Sequence, residues 1–413
     1  MWYFNRMDSF KCRVCSFAEF ELLWNLKSSP YGDLYKDNIE DSVKVKLNPL
    51  VLVRCKSCGL LQLRDSTNVN LVYDQYLYTT RTTNPLNDYY ELIVNRLVNE
   101  YGLKSDALIV DIGSNDGTFL SKFKNLGFKV LGIEPAKPVS ESANKSGIKT
   151  INEYFNIGLA KKILKEYGTP KLISINYVLA NIPELDKFFE SLVSLMDSET
   201  IISIITGYHI DQFSINMFDY INHDHLTYLT LHDLEYISNK YNLKLLDASR
   251  SEHKGGSIHV TLASVSSSFK PKNSIDQLIQ RELWEKNDEN VKIVNLRNRI
   301  DIVADETNII LNKFRDIPIY GIGASISTSY LMNYLEIVEF ISELYDDDPN
   351  KIGKFSPYYG LKVSSIDNLP KTKDCLALIL AWQHTNKILY RLEQVGFDGK
   401  ILVPLPFPRL LSV

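Results

Sequence analysis

Four of the five cysteines stand in two Cys-x-x-Cys pairs near the start of the chain, Cys12–Cys15 and Cys55–Cys58. A turn with this spacing presents two thiolates to one metal ion, and two such turns complete a tetrahedral zinc site with no open position. The 39 residues between the pairs still allow two knuckles to close one small domain. The pattern predicts a structural zinc ion; an iron–sulfur centre and redox-active thiols are the alternatives.

A glycine turn follows an apolar run in Leu108-Ile-Val-Asp111-Ile-Gly113-Ser-Asn-Asp-Gly117. The spacing is G-x-x-x-G, with an aspartate two residues before the first glycine, and it differs from the G-x-G-x-x-G of dinucleotide binders. Gly113 lets the backbone approach a ligand, and the start of the following helix favours an electronegative group. This is the form of turns that hold S-adenosylmethionine, which has no pyrophosphate to cradle. The turn therefore predicts that cofactor.

Two further strand ends complete the predicted cofactor site. Glu134 lies 21 residues after Gly113, where a carboxylate can accept hydrogen bonds from ribose hydroxyls. Asp111 is expected to face the methionine amino group, and Asn176 ends the third strand beside the methyl donor. The predicted cofactor-binding residues are Asp111, Gly113, Ser114, Asn115, Gly117, Glu134, Pro135 and Asn176.

The segment from Tyr220 to Tyr228 places two of the seven histidines around a carboxylate. Histidine is the natural base near neutral pH, and a neighbouring carboxylate can orient it. A His-x-His pair can also bind metal, but no third ligand is evident nearby. The predicted catalytic residues are Asn222, His223, Asp224 and His225.

Two other positions are expected to contact substrate. Asn181 follows the third strand, and Lys254 lies in the polar glycine turn from Glu252 to Ser257. Lys254 could bind a phosphate or polarise an oxygen, and a solvated surface lysine is an equally good interpretation.

The order of elements predicts an α/β protein. From Ala107 onward buried strands alternate with helices, which is typical of a mostly parallel sheet. A second α/β unit begins at Ile317; its Gly321 and Gly323 are a weak dinucleotide signal, because Ile326 replaces the third glycine. We predict a zinc-binding domain at residues 1–66 with a substrate-side connector to about 88. A Rossmann-like S-adenosylmethionine domain at 89–265 and a second Rossmann-like domain at 266–413 follow.

Composition limits the partners of the chain. Its 413 residues carry a net charge of -4 without a long basic run, so nucleic-acid and membrane binding have little electrostatic support. No apolar run approaches the roughly 20 residues of a spanning helix, and the N-terminus does not have the form of a signal peptide. We expect a cytoplasmic monomer or weak homo-oligomer that acts on a small molecule.

Taken in this order, the motifs resemble the three-domain sugar C-methyltransferases that act on nucleotide-activated 4-keto-deoxysugars. The resemblance runs nearly end to end. It includes the paired cysteines, the Asp111–Gly117 turn, Asn176-Tyr-Val-Leu-Ala, the His-acid-His segment, Gly255-Gly-Ser257 and the block from Tyr320 to Lys354.

The resemblance implies that a histidine removes a proton beside the C4 ketone and that the resulting enolate attacks the methyl sulfonium. Aligned residue by residue, that base is His225. The family's tyrosine falls on Asn222, its glutamate on Asp224, and a histidine after the third strand on Asn181. Asparagine can hydrogen-bond an enolate oxygen but cannot relay a proton. The family also uses connector tyrosines near the sugar, and Tyr76 and Tyr78 are the candidates.

These departures leave two alternatives to carbon methylation. The first is O- or N-methylation of a related nucleotide sugar, because deprotonating a hydroxyl needs only one histidine. The second is a catalytically silent protein that binds a nucleotide sugar. We expect C-methylation with His225 as the base.

Overall fold

The computed structural model describes residues 10–65, 80, 84–286 and 289–412. Three β-sheets organise these residues into an α/β protein, as the alternation of strands and helices predicts. Tyr76 and Tyr78 lie outside the described residues.

The N-terminal sheet has four antiparallel strands in the order β1-β2-β3-β9. Three of them come from the start of the chain: β1 Phe20–Ser29, β2 Asn48–Cys55 and β3 Leu61–Leu63. The fourth, β9 Thr227–Tyr228, follows the histidine segment directly and pairs with β3. The sheet therefore carries the end of that segment.

The middle sheet has seven strands in the order β10-β11-β8-β7-β4-β5-β6. Strands β4 to β8 are parallel, whereas β11 runs antiparallel to both β8 and β10. The strands are β4 Leu108–Ile112, β5 Lys129–Ile133, β6 Thr150–Ile151, β7 Leu172–Asn176, β8 Ile201–Gly207, β10 Leu243–Ser251 and β11 Ser257–Ser264. The strand order reverses between β4 and β7, and a crevice forms outside the carboxyl ends of strands at such a point.

The C-terminal sheet has six strands in the order β14-β13-β12-β15-β16-β17, and only β17 is antiparallel to its neighbour. The strands are β12 Ile319–Ile322, β13 Ile341–Asp346, β14 Val363–Ser365, β15 Leu376–Ile379, β16 Lys400–Val403 and β17 Arg409–Ser412.

Twelve α-helices in the described part of the chain connect and cover the sheets. They are α1 Ile39–Ser42, α2 Asn84–Tyr101, α3 Thr118–Asn125, α4 Lys137–Lys145, α5 Ile157–Tyr167, α6 Leu185–Ser194, α7 His209–Ser214, α8 Leu231–Lys240, α9 Asn273–Lys286, α10 Glu289–Asn312, α11 Ile326–Leu335 and α12 Thr385–Gln394. Among the helices of the described residues, none is long and apolar enough to cross a membrane.

One cluster of buried apolar side chains joins the N-terminal sheet to the C-terminal sheet. It runs from Trp24 and Leu52 through Phe218 to Leu331 and Leu378. Phe218 lies in the stretch that leads into the histidine segment, so this segment is packed between the two outer sheets. A second cluster joins Cys12 and Leu60 to one face of the middle sheet.

Candidate active site

The glycine turn after β4 forms the floor of a cavity at the reversal point of the middle sheet. Gly113 has φ +73°, and its amide donates to the carbonyl of Ile133 at 2.8 Å. A Cβ on Gly113 would lie 2.2 Å from Cγ2 of Val178, so a larger residue cannot occupy the turn in this conformation. The lack of a Cβ at Gly113 lets the turn pack against Val178, and close approach to a ligand stays a prediction.

Asp111 is buried where β4 and β7 run side by side. Its Oδ1 accepts hydrogen bonds from Ser174 Oγ at 2.6 Å and from Asn176 Nδ2 at 3.3 Å. Burial raises the pKa of Asp111 to about 7; the Ser174 bond opposes this rise and the charge of Glu134 adds to it. A cationic partner such as an amino group stabilises the charged form of a carboxylate buried in this way.

Glu134 ends β5 with both carboxylate oxygens engaged by the backbone. Oε2 accepts from the amide of Asn115 at 3.0 Å, and Oε1 accepts from the amide of Ala136 at 2.8 Å. Burial raises the pKa of this group, and the two backbone bonds oppose the rise. A carboxylate oxygen accepts more than one hydrogen bond, so the fixed carboxylate can still receive two vicinal hydroxyls.

The cavity between these strand ends has a volume of about 330 Å³. Of the predicted residues, those that line it are Asp111, Gly113, Ser114, Asn115, Glu134, Pro135, Asn176, Asn181 and Lys254. Gly117 is not among them: it precedes α3 with φ +76°, and a Cβ there would lie 2.8 Å from Ile148.

The residues present fit S-adenosylmethionine. Asn176 Oδ1 and Ser114 Oγ are buried polar atoms without a hydrogen-bond partner among the described residues. Together with Asp111 they offer acceptors on one wall, while Glu134 offers a carboxylate on the next. A ligand with an amino group and a ribose would satisfy both walls.

Several lining residues escaped the sequence analysis. They are Tyr154, Phe155 and Asn156 after β6, Phe188 of α6, Tyr90 of α2, and Tyr177 and Val178 after β7. Strand β6 has only two residues, too few for a hydrophobic period to reveal. The signal that could have found Tyr177 and Val178 is their place directly after Asn176, because strand ends meet at one edge of a parallel sheet.

None of the predicted catalytic residues Asn222, His223, Asp224 and His225 is among the described residues that line this cavity; His225 lies beside it through a contact of the next residue. The amide of Leu226 donates to the carbonyl of Ala180 at 2.7 Å, which ties the histidine segment to the turn that carries Asn181. Nδ1 of His225 lies 2.9 Å from the carbonyl oxygen of Tyr220, and the two rings stack at 3.9 Å. The Tyr220 carbonyl only accepts and favours a proton on Nδ1, whereas Nδ2 of Asn222, a donor 3.1 Å from the same nitrogen, favours the proton on Nε2.

The surroundings of His225 keep the ring neutral. Burial lowers the pKa of His225 to about 4, the carbonyl of Tyr220 opposes that shift, and the positive charge of Lys254 adds to it. Asn222 holds the same loop: its Oδ1 accepts from the amide of Asp224 at 3.0 Å, and its Nδ2 lies 3.3 Å from the carbonyl of Tyr220. The Asn222 amide therefore shapes the turn around His225.

His223 occupies a different position from His225. Its Nε2 lies 3.1 Å from the carbonyl of Pro49, and its Nδ1 lies 2.9 Å from the hydroxyl of Tyr330. Both ring nitrogens are thus engaged between the N-terminal sheet and α11. Burial lowers the pKa of His223 to about 4. In this arrangement His223 joins two domains through a neutral ring.

Asp224 is half-buried between the two histidines. Burial raises the pKa of Asp224 to about 7, and the negative charge of Asp33 raises it further. The structure brings Asp224 toward the N-terminal loop that contains Asp33, on the side of the segment that faces the outer sheets.

The four cysteines come together as the spacing predicts. Their Sγ atoms all lie within 4.8 Å of one another, with Cys12 and Cys58 at 3.6 Å and Cys15 and Cys55 at 3.4 Å. Zinc–sulfur bonds of 2.3 Å in a tetrahedron place sulfurs about 3.8 Å apart, so the set fits one zinc ion. Gln62 of β3 donates from Nε2 to Cys12 Sγ at 3.2 Å.

Other parts of this chain pack on the end of β12 and the turn after it, which contain the weak glycine motif of Gly321 and Gly323. Asp346 accepts from the amide of Ala324 at 2.5 Å, and Lys351 donates to the carbonyl of Ala324 at 2.7 Å. A Cβ on Gly32 would lie 2.1 Å from the carbonyl oxygen of Ile326, so the N-terminal loop packs on the start of α11. These contacts indicate that the turn holds the N-terminal loop against the start of α11.

Two family models match the chain. A model described as a methyltransferase domain matches residues 86–248, and a model described as a C-methyltransferase C-terminal domain matches residues 252–406. The chain is also similar to the C-methyltransferase NovU of Streptomyces niveus, with 24% identity over 421 residues that cover 97% of each protein.

Solved structures resemble part of the chain. An S-adenosylmethionine-dependent methyltransferase from Anabaena variabilis is 16% identical, covers 43% of this chain and 85% of its own, and gives a TM-score of 0.36. The magnesium protoporphyrin IX methyltransferase of Synechocystis is 14% identical, covers 43% and 79%, and gives a TM-score of 0.34.

Proposed function

We propose that this chain, an S-adenosylmethionine-dependent methyltransferase, methylates a carbon atom beside the ketone of a nucleotide-activated 4-keto-deoxysugar. The observation that carries the proposal is the bond from the amide of Leu226 to Ala180, which holds His225 next to the turn that supplies Asn181 to the cavity. The full-length similarity to a C-methyltransferase supports carbon as the acceptor atom. The family resemblance of the motifs supports a nucleotide sugar as the substrate.

The reaction begins with a proton transfer from the substrate to His225. In the tautomer that carries its proton on Nδ1, Nε2 of His225 takes a proton from the carbon beside the ketone; the C–H electron pair becomes the C=C bond and the C=O π pair moves to the oxygen as an enolate forms. When bound, S-adenosylmethionine would supply the methyl group: the enolate carbon would bond to it as the S–CH3 bond breaks, and the bonding pair would stay on the sulfur of S-adenosylhomocysteine. His225 then releases its proton to solvent, which returns the ring to the neutral form that burial favours.

Three groups are assigned to hold the cofactor. Asp111 and Asn176 would receive the amino group of its methionine part, and Glu134 would receive the ribose hydroxyls. These interactions fix the methyl donor at the carboxyl ends of β4, β5 and β7, so that reaction needs only a correctly placed acceptor carbon.

The test uses methyl-labelled S-adenosylmethionine and a set of nucleotide-linked 4-keto-6-deoxysugars, followed by NMR of the product. The expected product carries a new methyl group bonded to a carbon next to the ketone. A methyl on oxygen or nitrogen would overturn carbon methylation, and binding without turnover of any of these sugars would favour a silent binding protein.

We also propose that the Cys12, Cys15, Cys55 and Cys58 site holds zinc as a structural ion. Four thiolates leave no coordination position for substrate, so the ion supplies folding free energy and takes no part in the reaction. Plasma mass spectrometry of the purified chain should give one zinc per chain. A different metal at that ratio, or a visible absorption spectrum typical of an iron–sulfur centre, would contradict the assignment.

A further inference from the structure

Lys254 lies in the turn between β10 and β11 in an unusual backbone conformation. Its φ is 52° and its ψ 37°, which is the left-handed region that non-glycine residues seldom adopt. The next two residues, Gly255 and Gly256, have φ of 76° and 137°. A non-glycine residue held in this region persists only when its surroundings determine it, and such residues cluster at functional sites.

The surroundings hold this turn on several sides. Gln212 Nε2 donates to the carbonyl of Lys254 at 3.2 Å, and Ser257 Oγ donates to the carbonyl of His253 at 2.7 Å. The ring of His253 stacks on Tyr89 at 4.1 Å. The turn is therefore held from α7, from β11 and from α2, which fixes the backbone from which the Lys254 side chain extends.

The Lys254 side chain enters the cavity. Its Nζ lies 3.9 Å from the ring centroid of Tyr177, the residue that follows β7, and both residues line the cavity. The Tyr177 hydroxyl hydrogen-bonds Ser257 Oγ at 3.0 Å, which holds the ring in place. The ammonium thus lies on the electron-rich face of a fixed ring, and it is near enough to His225 for its charge to lower the pKa of that histidine.

We propose that Lys254 holds the negative charge that develops on the substrate's carbonyl oxygen while His225 removes the neighbouring proton. This role rests on the proposed function. The ammonium donates a hydrogen bond to the oxygen and keeps its own proton, so the charges balance as imidazolium and enolate form together. A neutral base as weak as a buried histidine needs such a partner, because the enolate must be stabilised for the proton to move.

Among the described residues that line the cavity, no other offers an equivalent cation. Lys187 is the second lysine of the described lining, and its Nζ bonds Glu184 Oε1 at 2.6 Å near solvent. The Asn222 amide is bonded within its own loop. Burial lowers the pKa of Lys254 to about 8, so at neutral pH a poorly solvated cation is present. In a site of low dielectric its field on an oxyanion is strong.

The experiment separates enolate formation from methyl transfer. The enzyme is incubated in D2O with S-adenosylhomocysteine and a nucleotide-linked 4-keto-6-deoxysugar, and NMR follows exchange of the proton beside the ketone. Wild-type enzyme and Lys254→Met, Lys254→Arg and Lys270→Met variants are compared, since Lys270 is an exposed lysine on the loop after β11.

We expect Lys254→Met to slow exchange at saturating sugar by about 10²-fold or more, with Lys254→Arg in between and Lys270→Met at the wild-type rate. Calorimetric affinity for S-adenosylhomocysteine should stay unchanged, which shows that the fold is kept. Wild-type exchange in Lys254→Met, or a rise in KM alone as for a phosphate contact, would overturn the role.

The kcat of methyl transfer in the same variants is the second measure. An unchanged kcat in Lys254→Met would overturn the inference whatever the exchange experiment shows. If the wild-type enzyme neither exchanges nor methylates any keto sugar, the proposed function itself fails, and that result is distinct from a difference between variants.

Discussion

The cofactor side and the acceptor side of the cavity are built differently. Asp111 and Glu134 come from two consecutive strand–turn–helix units of one parallel sheet, only 23 residues apart in the chain. His225, Asn181 and Lys254 come from three separate turns, and the first of these turns is packed between the two outer sheets and bonded to the turn after β7. The cofactor side is therefore a local property of the middle sheet, whereas the acceptor side depends on how the domains dock.

The contacts of the histidine segment show this dependence. Its end is joined to the N-terminal sheet, because the amide of Leu63 donates to the carbonyl of Leu226 at 2.9 Å. Its beginning is joined to the C-terminal domain, because the indole of Trp382 donates to Asp219 at 3.0 Å. A change in either outer domain should thus alter the placement of His225 and leave cofactor binding intact.

The largest effect should follow from removing the base. We expect His225→Gln to lower kcat for methyl transfer by about 10³-fold, within the range for loss of general base catalysis. Affinity for S-adenosylhomocysteine should not change, because no cofactor-side residue is touched. Steady-state kinetics and calorimetry on one preparation measure both. Loss of cofactor affinity would show that the two sides are not separable as the geometry indicates.

A change to Glu134 should affect only the cofactor side of the cavity. Glu134→Gln replaces one carboxylate oxygen with an amide nitrogen opposite the backbone amides of Asn115 and Ala136. Cofactor affinity should fall by about 10²-fold, since hydrogen bonds to charged groups contribute about 1.5–3 kcal/mol each. At saturating cofactor, kcat should stay within about threefold of the wild-type value.

A matched control for that variant is Glu184→Gln, which changes a partly exposed carboxylate at the rim that already pairs with Lys187. Its cofactor affinity should fall far less than that of Glu134→Gln. Equal losses would mean that the general negative charge of the cavity, and not the fixed carboxylate at the end of β5, sets the affinity.

Metal removal should disturb the acceptor side through β3. Gln62 contacts Cys12 and pairs with Thr227 in β9, two residues beyond His225. We expect stripped protein to lose roughly tenfold or more in kcat, as for changes to a metal's hydrogen-bonded shell, while cofactor affinity is retained. Cys12→Ser should reproduce the loss, and Cys375→Ser, in the buried cysteine of the C-terminal domain, should keep the metal.

The difference between a local cofactor side and an acceptor side that depends on docking also explains what the sequence could predict. Strands β4, β5, β13 and β16 lie on short apolar runs of the sequence, and the turn residues follow from strand–turn–helix spacing. The apolar run from Cys375 to Trp382 is longer than its strand, because β15 ends at Ile379 and Trp382 turns to reach Asp219. The sequence could name residues that line the cavity because their signal is local.

The acceptor side had no local signal for its most important contacts. The pairing of β9 with β3 joins residues more than 160 positions apart, and a two-residue strand has no detectable period. The bonds of His223 to Pro49 and Tyr330 are equally remote in sequence. The sequence could name the histidines, and only the packed domains show that one of them joins domains while the other lies beside the cavity.

The smallest effect should come from loosening that junction. Tyr330→Phe removes the hydroxyl that bonds Nδ1 of His223 and accepts from the backbone amide of His223 at 3.3 Å. Leaving these buried groups unsatisfied should lower the free energy of unfolding by about 1–3 kcal/mol. Because His225 lies on the same loop, kcat should also fall by a few-fold, with unchanged cofactor affinity.

Tyr334→Phe is the control on the same helix, because its hydroxyl donates to the half-exposed carboxylate of Asp301 at 2.9 Å and does not reach the histidine segment. It should leave kcat unchanged. If Tyr330→Phe lowers stability as expected but kcat stays at the wild-type value, the junction stabilises the fold without positioning the base. Equal losses of kcat in both variants would instead attribute the effect to the packing of α11. The whole docking surface of the C-terminal domain would then position the base, and the single contact of His223 would not.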